Sequence, residues 1–278
     1  MSHDGMYGSQ DPVPEQHVKY LPTPTIPVDT TINPKDHTPR GMIFSLREIG
    51  NCLGVGVTEN TSDHDLTQLV RVSRLACLLS ERNPQQDHIT LRIAEVGSWC
   101  GESMLAIARG IKLHKDTILS DACECNVRFP AVEVHCIDTW EGSPSDNSSA
   151  AVGLYGGSIH KFFELAATQA EWVDDYLEVV GHVTPSAEGC QLFSDNCFDF
   201  IYLDAGHDYA SIKQDIDCWY PKLKPGGVFA GHDYSSQFPG VPLAVDDLCQ
   251  KLGVAPLIPV GSHIWVLIKP QQVDESPS

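Results

Sequence analysis

From Asp63 to Lys269 the sequence alternates segments with the apolar pattern of a strand and segments with that of a helix. This alternation leaves few folds open. Leu66, Leu69, Val70, Val72, Leu75, Ala76, Leu78 and Leu79 recur at helical spacing, with Ser62 or Asp63 as the N-cap. Strands are predicted at Ile89–Val96, Val132–Ile137, Leu177–Val180, Phe198–Leu203 and Gly227–Ala230. Helices are predicted between and after them at Glu102–Leu113, Ser158–Ala170, Pro185–Leu192, Tyr209–Trp219 and Val241–Leu252. Two last strands, Leu257–Val260 and Ile264–Lys269, lack a helix between them, so Pro259-Val260-Gly261-Ser262 reads as a hairpin turn. Strand–helix alternation implies a parallel sheet covered on both faces. The expected class is therefore α/β: a doubly wound, mostly parallel seven-stranded sheet with an antiparallel C-terminal strand. Ligands of such sheets bind at the carboxyl ends of the strands, where the strand order reverses.

The flanks differ in composition. Seven of the nineteen prolines fall in residues 1–40, which excludes a long helix or a central strand there. Residues 1–62 read as a Pro-rich arm able to fold over the main domain as a lid or to pack on a second copy in a homodimer. A short helix near Phe44–Cys52 is also compatible with the sequence, and 271–278 read as a disordered tail. The formal net charge is −19, and residues 1–62 hold only four Lys/Arg against seven Asp/Glu, so most of the acidity belongs to the remainder. An acid excess of this size argues against nucleic acid or an anionic membrane as general partners, because both need Lys and Arg at the contact. No apolar run is long enough to span a bilayer, and Met1–Gln10 lacks the apolar core of a signal peptide. The ten cysteines are scattered, several within apolar segments, as expected of free thiols in a reducing, cytoplasmic setting. Cys123 and Cys125 lack a second pair at zinc-finger spacing and read as part of a connecting loop.

The chemistry-bearing residues gather at the predicted strand ends. The first strand ends in Glu95-Val96-Gly97-Ser98-Trp99-Cys100-Gly101-Glu102-Ser103. Its G-x-x-x-G spacing lets a ligand approach the backbone ahead of a helix N-terminus, yet it is neither a dinucleotide fingerprint nor a phosphate loop. Alone it reads equally as an ordinary tight turn. The second strand ends in Asp138, placed either to accept the hydroxyls of a ribose or to cap a loop. An internal echo follows: Gly206-His207-Asp208-Tyr209 after one strand and Gly231-His232-Asp233-Tyr234 after the next, with Asp204 just before the first copy. If those strands are neighbours, Asp204, His232 and Asp233 converge on a plausible site for a divalent cation, with His207 beside it as a base. The competing reading makes these polar groups caps of the following helices, hydrogen-bonded to one another.

These segments, with Ile137-Asp138-Thr139-Trp140, Phe198-Asp199-Phe200-Ile201-Tyr202-Leu203-Asp204 and Lys224-Pro225-Gly226-Gly227, resemble in order and spacing the motifs of class I S-adenosylmethionine-dependent methyltransferases. Within that class, Asp204-x-x-His207, His232-Asp233-Tyr234, Gly240-Val241 and Ala244-Val245 are similar to the small-molecule O-methyltransferases related to macrolide-sugar methyltransferases and cephalosporin hydroxylase-type proteins. The resemblance covers Asp63 to Lys269 and implies a Rossmann-like fold with helices on both faces. It implies that Glu95, Gly97, Ser98, Trp99, Gly101 and Ser103 surround the methionine part of the cofactor. Asp138, with Thr139 and Trp140, would hold the ribose, Ser186 and Ala187 would lie near the adenine, and Asp204 would border the cofactor. It further implies a divalent cation, magnesium or manganese, on Asp204, His232 and Asp233, with His207 and Asp204 as the catalytic pair. His232 stands where the family carries an acid, and an imidazole favours ions softer than magnesium. The Ser-, Gly- and Asn-rich stretch from Gly142 to Gly157 reads equally as a lid over a small-molecule hydroxyl acceptor and as a disordered surface loop. Alternatives on the same fold are a hydroxylase-type relative and a non-catalytic cofactor-binding subunit. An NAD-dependent oxidoreductase is disfavoured by the glycine spacing.

Overall fold

A computed structural model describes residues 64–82, 90–121, 129–142, 159–173 and 176–271. The chain divides into the units Met1–His37 and Thr38–Ser278, and every described residue lies in the second. The arm with its lid, the helix near Phe44–Cys52, the caps Ser62 and Asp63, Cys123 and Cys125, the stretch 143–158 and the tail 272–278 lie outside the described residues.

The order of elements follows the apolar pattern. Helix α1 (His64–Arg82) precedes strand β1 (Thr90–Val96), helix α2 (Glu102–Asp121) and strand β2 (Ala131–Asp138). Helix α3 (Ile159–Val173) and strand β3 (Leu177–Val183) come next, then a short helix α4 (Ser186–Gly189) continued by a 3₁₀ turn, Cys190–Leu192. Strand β4 (Phe198–Leu203), helix α5 (Tyr209–Trp219), strand β5 (Leu223–Gly231), helix α6 (Gly240–Leu252) and strand β6 (Trp265–Ile268) complete the domain. The sheet order is β3-β2-β1-β4-β5-β6, parallel throughout except for β6, which runs antiparallel to β5. The order reverses between β1 and β4, so the ligand-binding crevice of such a sheet belongs at the ends of those two strands.

The seventh strand is absent among the described residues: Leu257 makes only an isolated antiparallel bridge with Val266. Both backbone bonds of that bridge are 2.9 Å long. Pro256 and Pro259 flank Leu257, and neither has an N–H to extend the ladder.

Six of the seven residues of β1 and all six of β4 are inaccessible or half-buried, as strands covered on both faces require. Alternation sends Ala94 and Val96 into a core shared with Ile212, Ile216 and Trp219 of α5 and with Val241, Ala244, Val245 and Leu248 of α6. Ile93 and Glu95 point to the other face, where α1 packs on α2 and α2 on α3. Helix α6 ends at Gly253, whose φ of 67° is left-handed and costs glycine nothing. At the amino ends of the strands, Asp199 is 1% exposed and accepts from Ser80 Oγ of α1, from the Arg92 N–H of β1 and from Lys224 Nζ of β5. Three separate elements are thereby tied to one carboxylate. No described helix is long and apolar enough to cross a membrane.

Candidate active site

The carboxyl ends of the central strands are stitched into one rim. The Gly97 N–H donates to Ile137 O at 2.8 Å, Asp204 N–H to Val96 O at 2.7 Å and His232 N–H to Leu203 O at 3.0 Å. Gly97 has φ 90°, and a Cβ there would lie 2.1 Å from the Asp204 carbonyl oxygen. Only glycine permits β1 to end this close to β4. Two tryptophans nearby carry left-handed backbones, Trp99 (φ 46°) and Trp140 (φ 55°). Asp138 holds both: its Oδ2 accepts from the Trp99 N–H at 2.8 Å and its Oδ1 from the Trp140 N–H at 2.7 Å. The Trp140 indole closes the arrangement by donating to Trp99 O at 2.8 Å. Strain at such positions persists only where surrounding bonds over-determine it.

A cleft of about 480 Å3 opens at this rim, within the roughly 300–1,000 Å3 usual for small-molecule sites. Gly97, Ser98, Trp99 and Ser103 line it from the β1 side, and Asp138, Thr139 and Ser186 from the β2 and β3 side. Asp204, His207, His232 and Asp233 line its other end. Of the remaining site residues expected from sequence, Trp140 is 5% exposed and packs on Phe163, with ring centres 4.7 Å apart. Gly101 faces α3, where a Cβ would meet Ala166, and Ala187 does not line the cleft. The Ser186 hydroxyl is engaged beneath the cleft, bonded to the Asp215 carboxylate and accepting from Trp219 Nε1 at 2.9 Å. Burial raises Asp215 to about 6. Cys100, Glu102, Thr184 and Gly206 also line the cleft without having been singled out; three of them adjoin a residue that was, and Thr184 lies two residues before Ser186.

Glu95 is fully buried and does not itself line the cleft, although Val96 and Gly97, which follow it, do. Its Oε2 accepts from the Cys136 thiol at 3.5 Å, and the Ser98 hydroxyl stands near enough to favour its ionised form, while its Oε1 makes no hydrogen bond of ordinary geometry among the described residues. Burial, with the charges of Asp204 and Asp138 nearby, raises the Glu95 carboxyl to about 8. A buried acid of this kind ionises at neutral pH only beside a positive partner.

The neighbouring ends of β4 and β5 bring the two copies of the echo together. Asp233, at a left-handed φ of 60°, sets its Oδ2 2.9 Å from His207 Nε2 and its Oδ1 3.2 Å from His232 Nδ1. Asp204 Oδ1 stands 3.9 Å from His207 Nε2 and 3.8 Å from His232 Nδ1. One ligand atom each from Asp204, His232 and Asp233 lies within 4.8 Å of the others, a spacing able to hold a metal ion. The carboxylates of Asp204 and Asp233 raise His207 to about 10. Burial disfavours charge on His232, yet Asp233 and Asp204 outweigh it and raise that ring to about 9. Burial likewise opposes ionisation of Asp233, but its bonds from His207 and His232 hold it well below the carboxylate range. The competing reading holds in part: these groups do pair with one another, but Asp204, His232 and Asp233 are not the caps of α5 or α6. Asp208 caps α5, accepting from the Ala210 and Ser211 N–H groups, and α6 starts without a side-chain cap.

Residues 94–234 match the family described as a methyltransferase domain, half of the chain. The chain belongs to this methyltransferase family. No curated protein matches the sequence. Among solved structures, the O-methyltransferase NovP superposes with a TM-score of 0.50 at 15% identity, over 73% of this chain and 79% of that one. CalS11, a TDP-rhamnose 3'-O-methyltransferase of calicheamicin biosynthesis, gives 0.46 at 14% identity, over 82% and 88%. An O-methyltransferase from Bacillus cereus in complex with SAH gives 0.41 at 15%, over 80% and 88%. At 15% identity the likeness to NovP is one of fold, a Rossmann-like α/β methyltransferase domain.

Proposed function

We propose that this methyltransferase moves the methyl group of S-adenosylmethionine to a hydroxyl of a small molecule, with a divalent cation on Asp204, His232 and Asp233 and with His207 as the base. The observation that carries the reading is the single cleft that joins the Gly97–Ser103 turn and Asp138 to the Asp204–His207–His232–Asp233 cluster. The description of NovP as an O-methyltransferase supports oxygen as the acceptor atom.

The cofactor supplies an electrophilic methyl on a sulfonium centre. This chain offers what such a group needs. The open oxygen of Glu95 suits an ammonium. Gly97 and Ser98 line the cleft beyond β1 with backbone and a small side chain. Asp138 spends one lone pair of each oxygen on Trp99 and Trp140 and keeps the others for a ribose diol. A divalent cation supplies a lowered pKa and a fixed orientation to a hydroxyl. Asp204, Asp233 and His232 Nδ1 offer two oxygens and one nitrogen, a donor set that suits manganese or iron better than magnesium. With their charges neutralised, Asp204 and Asp233 no longer hold the proton on His207, whose pKa then falls back toward the range in which imidazole takes up a proton. His207 is held beside the ring of Phe238, 4.6 Å between centres, and at the cleft wall. Holding the reacting atoms in line supplies much of the remaining acceleration.

Calorimetric titration with S-adenosylmethionine tests the reading. The wild type is expected to bind, and Asp138→Ala, which also releases both tryptophan turns, to bind at least tenfold more weakly, given about 1 kcal/mol or more per lost charge-assisted bond. Absence of binding by the folded wild type refutes the cofactor assignment. Product mass then separates methyl transfer from hydroxylation.

A further inference from the structure

Asp65, in the first turn of α1, and Ser262 and His263, just before β6, all lie outside the stretch that matches the methyltransferase family. They nevertheless meet at the metal cluster. Asp65 Oδ1 accepts from Ser262 Oγ at 2.7 Å and from the His263 N–H at 2.9 Å. Two donors on one oxygen fix the plane of the carboxylate. Its other oxygen is left facing His232, 3.2 Å from Nε2, with His263 Nδ1 also 3.4 Å away. Across the same imidazole, Nδ1 faces Asp233 and Asp204. The two nitrogens of His232 therefore serve two different carboxylate groups, one from α1 and one from the strand ends.

A neutral imidazole carries one N–H and one lone pair, and the partner on one nitrogen decides the role of the other. Asp65 can only accept, so when a cation takes the place of the proton on Nδ1 it holds the remaining proton on Nε2. We propose that Asp65 is a positioning residue that makes His232 a metal ligand: the chain Asp65–His232–cation is a carboxylate–histidine–metal relay built from outside the family's own motifs. The inference rests on the metal reading of the preceding subsection and deepens it. It explains how a histidine can serve at this place. Without Asp65 the neutral ring would keep its one proton on Nδ1, beside two carboxylates, where it excludes a cation. Partners of this kind orient the ring and raise its basicity, and losing one typically costs 10–100-fold in metal affinity.

The test uses the full chain, freed of metal and titrated with manganese(II) chloride alone. Affinity and stoichiometry are read by calorimetry and electron paramagnetic resonance, and directly bound nitrogen by electron spin echo modulation. The wild type is expected to bind one ion per chain with a coordinated-nitrogen signal. Asp65→Asn keeps the shape but can present an N–H to Nε2, and it is expected to weaken binding 10–100-fold and to lose the nitrogen signal. Ser262→Ala, which unties Oδ1 without touching His232, is expected to weaken binding in the same direction and by less. It carries the test should circular dichroism show the Asp65→Asn protein unfolded. Unchanged affinity and an unchanged nitrogen signal in the folded variants overturn the role of Asp65 and leave the metal site standing. Manganese bound to the wild type without a nitrogen signal does the same. Two ions per chain, one of them lost in His263→Ala, make Asp65 a ligand in its own right and overturn the relay. A wild type that binds no manganese takes down the metal reading and the relay together.

Discussion

Glu95→Gln keeps the shape of a side chain that is fully buried and removes its charge. In the folded, ligand-free protein the carboxyl loses its proton only near pH 8, whereas in the unfolded chain it does so near the ordinary 4.5. Between these values the folded state binds one more proton than the unfolded state. A carboxyl raised in this way contributes stability that is complete below the unfolded value and is lost as pH rises through the folded one. The slope is at most about 1.4 kcal/mol per pH unit, and about 5 kcal/mol across the window as an upper bound. Gln carries no such proton. Urea unfolding of both ligand-free proteins at several pH values between 5 and 8 isolates this residue, because every other titrating group is common to the two. At pH 5 the stabilities are expected to agree within about 1 kcal/mol, and at pH 8 the variant is expected to be the more stable by several kcal/mol. The same residue makes a prediction for the cofactor. An ammonium placed beside Oε1 favours the ionised acid, so binding of S-adenosylmethionine at pH 7 should release a proton from the wild type and none from Glu95→Gln. Titration in two buffers of different ionisation heat measures that release. A stability difference independent of pH refutes the argument from burial, and equal proton release refutes the placement of the ammonium.

Two further substitutions test the scaffold. Gly97→Ala places a Cβ 2.1 Å from the Asp204 carbonyl at a φ of 90°, and is expected to lower the unfolding midpoint sharply, since the backbone penalty alone is about 1–3 kcal/mol before the clash is counted; a midpoint close to wild type refutes the close approach of β1 and β4. Asp199→Ala removes the acceptor shared by Ser80, Arg92 and Lys224 and leaves a lysine only 16% exposed without its partner, so chemical denaturation is expected to show a loss of about 3–5 kcal/mol.

The strand–helix order was legible because buried parallel strands are short apolar runs with little else to resemble. Where the reading went astray, a local cause is visible. The hairpin strand at Leu257 shrank to one bridge because prolines stand on either side of it. Helix α2 runs on to Asp121, past the expected Leu113, through residues that include the exposed Asp116, Thr117, Ser120 and Leu119 and so carry no clear apolar period. The residues at the strand ends were legible because topology brings consecutive chemistry-bearing turns to one rim. Asp65 was not, because nothing in sequence connects a residue in the first turn of an amphipathic helix to a histidine far along the chain. The state of His207 was not legible either. An isolated imidazole titrates near 6.5, and only the placement of two carboxylates around it raises it to about 10.

The echo His-Asp-Tyr shows where motif reading stops. Its tyrosines do the same work: Tyr209 donates to Asp247 at 2.6 Å and Tyr234 to Asp246 at 2.8 Å, so adjacent carboxylates of α6 pin both turns. Its aspartates diverge. Asp208 has an extended backbone, φ −78° and ψ 156°, which turns the carboxylate forward onto the N–H groups of α5. Asp233 is left-handed at φ 60°, and its carboxylate turns back between His207 and His232. The two histidines are consequently drawn to a single aspartate, the second, and the first is spent on a helix end. Identical tripeptides thus yield one structural cap and one site carboxylate. The difference lies in the backbone angle at one residue, set by how each strand leaves the sheet.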